Sequence, residues 1–177
     1  MLHGAEALNE MSGVSRTFPL AEMSGDIRIL TMICLALPAG MAMGVMLGAR
    51  ALLVPAILCL PIYGWVWLLF RPTMFVIHPD SIEIVWPLKR RKIARESIVA
   101  VRMMNWKDLK PEVGSCMRVG AGGLWGGFGW LWTQRRGIVQ MYLSRTNNLV
   151  WLERGSERPW LISPERPEEF IRELALP

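Results

Sequence analysis

The sequence predicts an α+β membrane protein. An N-terminal two-helix transmembrane hairpin precedes an antiparallel β-barrel or sandwich of about seven short strands, and a C-terminal helix caps it. Three observations predict this. Between Ile29 and Phe70 there is one charged residue, Arg50, near the middle. After Pro72 the apolar residues recur with a period of two, which is the period of half-buried strands. After Ser163 the spacing changes again, to that of an amphipathic helix.

Residues 29–49 and 51–70 form two apolar runs of 21 and 20 residues. At a rise of about 1.5 Å per residue, each can cross a hydrocarbon core of about 30 Å. The hairpin occupies residues 28–71 and turns at Gly48-Ala49-Arg50. Residues 1–27 form an arm, cytoplasmic or interfacial, that mixes Gly, Ser, Met and acids without a sustained period and is expected to be poorly ordered alone. A cleaved signal peptide is not expected, because the arm carries Glu6, Glu10, Glu22 and Asp26 and a second span follows at once. Residues 72–177 are long enough for one compact core. The net charge of +5 is uneven: from Arg71 to Lys110 nine Lys/Arg stand against four Asp/Glu. Positive residues beside a span stay in the cytoplasm. The expectation is therefore a multi-pass protein with both termini and the β-rich domain cytoplasmic.

Within the first span, Gly40, Gly44 and Gly48 repeat at four-residue spacing. Small residues four apart let another helix approach closely. That helix is either the second span or one from another protein. Pro38, Pro55 and Pro61 remove helical donors and are expected to bend the spans. The second span ends in Tyr63, Trp65 and Trp67, then Arg71; aromatics followed by Arg mark a membrane–water interface.

The strands are expected at Met74–Ile77, Ser81–Trp86, Arg90–Ala94, Ser97–Met103, Ile138–Ser144, Leu149–Glu153 and Pro159–Ile162. His78-Pro79-Asp80 reads as a turn, and Arg145–Asn148 reads as the turn of a hairpin joining the fifth and sixth strands. The last helix is expected from Pro164 or Pro167 to about Leu174, with Ser163 as a cap and Glu165, Glu168 and Glu169 at the positive end of its dipole. About seven strands and then one helix is the element order of a pleckstrin-homology-like domain.

Three stretches strengthen that likeness: Phe75–Ile84, the glycine-aromatic segment Gly122–Trp130 with Gly137 and Tyr142 after it, and Ile162–Ile171. On these residues the chain resembles the bacterial pleckstrin-homology-like membrane proteins, in which two spans precede a small barrel. The likeness covers roughly residues 28–174. It implies the fold and a bacterial cytoplasmic (inner) membrane location. The family has no agreed enzymatic activity and contributes no catalytic residues.

The glycines around Trp125 invite a phosphate-loop reading, but no GK[ST] follows and Leu124, Trp125, Phe128, Trp130 and Trp132 interrupt them. A long loop of this composition is expected to dip into the membrane, to grip a partner, or to pack on the open side of the barrel. The basic run Lys89, Arg90, Arg91 and Lys92, supported by Arg95, reads as a solvated face that sets orientation, as a contact for anionic lipid, or as a contact for an acidic partner. Nucleic acid is not expected, because the run is short and follows a span. His3 and His78 lack partners at metal spacing. Cys34, Cys59 and Cys116 suggest neither a disulfide framework nor a zinc site. No cofactor, metal or enzymatic activity is expected. The readings carried forward are an accessory or scaffold subunit of a larger membrane complex, photosynthetic or respiratory, with membrane lipids and other membrane-protein subunits as partners, and alternatively a regulatory protein that recognises anionic lipid.

Overall fold

The structure is a computed structural model and describes residues 15–175. Its first element is a strand, β1 (Arg16–Pro19), antiparallel to β2 (Met74–Ile77), with Thr17 opposite Val76 and Pro19 opposite Met74. The helical pair is inserted between these two neighbours. It consists of α1 (Gly25–Met46), a 3-10 turn (Arg50–Leu52), α2 (Leu53–Trp65) and a π-helical turn (Val66–Phe70). Gly25–Met46, with 22 residues, and Arg50–Phe70, with 21, are each long and apolar enough to cross a membrane. Ile29, Ile33, Val54 and Leu60 are all more than half exposed. Helices apolar on their outward faces have nothing in water to bury themselves against. Pro38 and Pro61 lie inside the helices. The Tyr63 hydroxyl donates to the Cys34 carbonyl at 2.5 Å and ties the two helices together.

The arm departs from expectation where it is described. Phe18 in β1 is almost fully buried and meets Phe170 edge-on at 5.1 Å. Leu20 N–H donates to Thr73 C=O at 3.1 Å, and Ala21 N–H to Ser163 C=O at 2.9 Å. β1 buries only Phe18 and so shows no alternation of its own; it is ordered by its partner strand and by the core under Phe18. The arm before Ser15 lies outside the described residues.

β3 (Ser81–Val85) and β4 (Arg90–Ala94) complete a four-stranded sheet in the order β1-β2-β3-β4. The second sheet contains β5 (Ile98–Met104), β6 (Cys116–Gly122), β7 (Gly127–Thr133), β8 (Gly137–Leu143), β9 (Leu149–Arg154) and β10 (Trp160–Ile162). Its order is β5-β9-β10-β8-β7-β6. Among the described residues the expected seven or so strands are thus ten; they form two sheets, as in the sandwich alternative, and no closed barrel is seen among them. The expected hairpin between β8 and β9 is also corrected. β10 lies between them, parallel to β8 and antiparallel to β9. Trp160, Leu161 and Ile162 are fully buried, and a central position covers both faces of such a strand.

Two cores lie on opposite faces of the six-stranded sheet. One fills the space between the sheets with Phe75, Ile84, Tyr142 and Trp160 and is plugged by Phe170 of α4 (Pro167–Ala175). The other lies under a short helix, α3 (Trp106–Val113), where Leu109 and Val113 cover Leu131, Met141 and Trp151. α4 starts on Pro167 with Glu168 and Glu169 in its first turn, as the sequence predicts. α3 was not expected from the sequence. Its signals are Asn105 at the N-cap, Asp108 three residues on, Leu109 and Val113 at helical spacing, and Gly114 after the end at φ +75°.

Candidate functional site

The functional geometry gathers where the helix pair meets the sheets. Ser24 N–H donates to Ser144 C=O at 3.1 Å, just before α1. The Ser144 hydroxyl donates to Ala21 C=O at 2.6 Å and lies 3.1 Å from the Ser163 hydroxyl. At the other end of the pair, Trp86 Nε1 donates to Phe70 C=O at 3.0 Å. A third contact comes from the tip of the β6–β7 hairpin. Thr31, a lone hydroxyl in the first apolar run, lies 3.0 Å from Gly123 C=O and accepts from Trp125 N–H at 3.0 Å. Trp125 stands edge-on to Trp67 at 4.8 Å, and the Arg71 guanidinium lies 4.3 Å from the Trp67 ring centroid.

The glycine-aromatic segment is therefore a paired hairpin rather than a long loop. Gly120 and Gly129 sit opposite each other in β6 and β7. A Cβ on Gly129 would lie 2.4 Å from Val119 O and 2.9 Å from Gly120 Cα. The glycines let two backbones approach closely, which is a structural use unlike a phosphate cradle.

Below the end of the second apolar segment lies a cavity of about 360 Å³. Leu69 and Phe70 line it from the helix pair, Trp86 from the end of β3, Gly129 and Trp130 from β7, and Gln140 and Tyr142 from β8; Lys89, Arg90 and Arg91 supply its charge. Trp86 and Tyr142 meet edge-on at 5.4 Å. Alternation along β4 divides the basic run between two faces. Arg91 shares the inward face with buried Ile93, donates to Gln140 Oε1 at 2.8 Å and lies 5.3 Å from the Trp160 ring. Lys89 Nζ lies 4.7 Å from the Trp86 ring and 5.9 Å from that of Phe70. Lys92 is on the outer face opposite Glu83, whose carboxylate is 3.8 Å from Arg90 and 3.2 Å from His78. Among the described residues no carboxylate lies within 4.0 Å of Lys89 or Arg91. Burial, then the neighbouring Arg91 charge, pulls the Lys89 pKa below its ordinary value. Burial pushes the Tyr142 hydroxyl up, and Arg91 opposes that shift. Arg91 and Gln140 also line an adjoining cavity with Arg154 and Arg158.

The other expected site residues are spread over several settings. Trp65 is exposed on the outside of the helix pair, and Trp132 is half-exposed on β7. Trp130 lies at the cavity and Trp125 at the helix contact. Phe128, near the start of β7, is fully buried and so offers no surface to a membrane or partner. Gly44 is the close-approach glycine of its series: a Cβ there would lie 2.6 Å from Leu52 Cδ1, whereas Gly40 and Gly48 face open space. Arg95 caps α4, donating to Glu173 C=O at 2.7 Å and to Leu174 C=O at 3.2 Å. Sequence reasoning did not single out Thr31, Trp86, Gln140 or Tyr142 as site residues. For Thr31 the available signal was one hydroxyl inside an apolar run; the others become neighbours only through sheet pairing.

A family model described as a bacterial PH domain matches residues 73–176, which is more than half of the chain. No curated protein and no solved structure matches it.

Proposed function

The chain belongs to the bacterial PH-domain family, and from that premise we propose that it is a non-enzymatic interaction module anchored in a membrane, an accessory or stabilising subunit of a larger cytoplasmic-membrane complex. Family membership suggests an interaction module for protein or lipid; the finer reading rests on how the domain is mounted. The observation that carries it is the insertion of the helix pair between paired strands β1 and β2, reinforced by the Thr31–Trp125 contact. A domain held at three points cannot swing on a linker. Its surfaces face the bilayer and neighbouring subunits at a fixed attitude, which suits assembly. Arg71 and the run Lys89–Lys92 lie on the domain side and Arg50 at the opposite turn, so the charge balance supports a cytoplasmic domain. Extraction of natively expressed protein in mild detergent should yield a large particle containing other membrane subunits. A lone monomer under those conditions defeats the accessory-subunit reading. The cavity beside Phe70, whose Lys89 and Arg91 have no carboxylate within 4.0 Å among the described residues, favours a second reading in which lipid also binds.

A further inference from the structure

We propose that the cavity between Phe70, Trp130 and Tyr142 is a binding site for one phospholipid with an anionic headgroup, whose phosphate is held by Lys89 and Arg91. The inference rests on the anchoring of the helix pair and does not depend on which subunits the protein joins. Four observations converge on it. The cavity, about 360 Å³, falls in the range of about 300–1,000 Å³ typical of small-molecule sites. Its upper wall, Leu69 and Phe70, is the last turn of an apolar segment long enough to span a bilayer, so the opening lies at headgroup depth. Its floor is polar: Arg91 is already oriented by Gln140 at 2.8 Å, and Lys89 is held over the Trp86 ring at 4.7 Å. Neither cation has a carboxylate within 4.0 Å among the described residues, so an anion there would find charge not yet neutralised. An apolar wall facing the bilayer above a cationic floor matches an amphiphile that keeps its acyl chains in the membrane. An acidic peptide would not require the apolar wall at that depth.

This site differs from a diffuse basic patch in one respect that can be measured. Lys92 belongs to the same run and carries the same charge, but it sits on the outer face of β4, opposite Glu83. Full-length protein in mild detergent, titrated with phosphatidylglycerol or phosphatidylcholine and examined by native mass spectrometry, should retain one phosphatidylglycerol in preference to phosphatidylcholine. Lys89→Gln combined with Arg91→Gln should weaken that retention by about tenfold or more, as expected for two charges at a surface, whereas Lys92→Gln should change it by less than about twofold. If the double variant fails to give a monodisperse protein, Lys89→Gln alone carries the test, with a loss of about fivefold. Equal loss in Lys92→Gln means diffuse electrostatics and overturns the site. Displacement of the lipid by an equal concentration of glycerol phosphate assigns the cavity to free phosphate esters and also overturns it. So does a Lys89 that is shielded from amine labelling only when a partner protein co-purifies. Release of the protein from membranes by alkaline carbonate would defeat the anchor itself; carbonate resistance without lipid preference defeats the site alone.

Discussion

Gly129 shows how one residue type can mislead when read singly. Glycine-rich sequence suggests a mobile loop or a phosphate cradle, yet here it permits two paired strands to come within van der Waals contact of each other's backbone. Gly129 has φ +128°, and a Cβ would overlap Val119 O. Gly129→Ala should therefore destabilise the domain by about 1–3 kcal/mol, from strain and overpacking together. Gly122→Ala is the matched control: its nearest neighbour is the flexible Arg118 side chain at 3.6 Å, and the effect should stay within about 0.5 kcal/mol. Chemical unfolding of the two variants in the same detergent checks the contrast; equal midpoints would refute the close-approach account. Thr31 teaches the reverse lesson. Its hydroxyl was visible in the sequence, but its partners, Gly123 and Trp125, are about ninety residues away along the chain, and no local pattern connects them.

β1 is the element that ties the start of the helix pair to the domain, and its stability comes from the core rather than from strand propensity. The side chain of Phe18 is nearly inaccessible and packs edge-on against Phe170. Phe18→Ala should cost about 3–5 kcal/mol, the range for removing a buried aromatic. Arg16→Ala, which loses a pair between its exposed guanidinium and the partly buried Glu173, should cost no more than about 1 kcal/mol. Unfolding midpoints followed by tryptophan fluorescence test this, and a small effect at Phe18 would mean that β1 is not seated on the core. Elements whose apolar residues keep a clear spacing were legible: both apolar segments, β2 to β5, β8, β9, β10 and α4 lie close to their expected ranges. β1 and α3 were not: β1 buries one apolar side chain, Phe18, and α3 buries two, Leu109 and Val113, too few to establish a period. The β6–β7 pair was hidden because glycine at Gly120, Gly127 and Gly129 interrupts the alternation that marks a strand.

At the scale of the whole molecule, pairing of β1 with β2 across the helical pair places both ends of that pair on one side of whatever it inserts into. α1, with 22 residues, is about 33 Å long, close to a hydrocarbon thickness of about 30 Å. The Gly48–Arg50 turn should therefore emerge on the far side. Cys116 is exposed on the domain, while Cys34 and Cys59 lie within the helical pair, so the protein carries its own reporter. A membrane-impermeant maleimide should label Cys116 in inverted vesicles and not in right-side-out cells. Ala49→Cys combined with Cys116→Ser should give the opposite pattern. Labelling of both positions from the same side would overturn the hairpin topology.

The sequence by itself determined the apolar helix pair, the change to a β-rich domain, and the closing helix, because each is a local periodicity of hydrophobic residues that survives in any context. Tertiary structure alone decided that the arm supplies a strand, that β10 enters between β8 and β9, and that Lys89 and Arg91 share a cavity with Phe70 while Lys92 does not. These depend on pairings between segments far apart in the chain. Such pairings are selected by the total apolar surface buried in the assembled core, a quantity that no window of sequence contains.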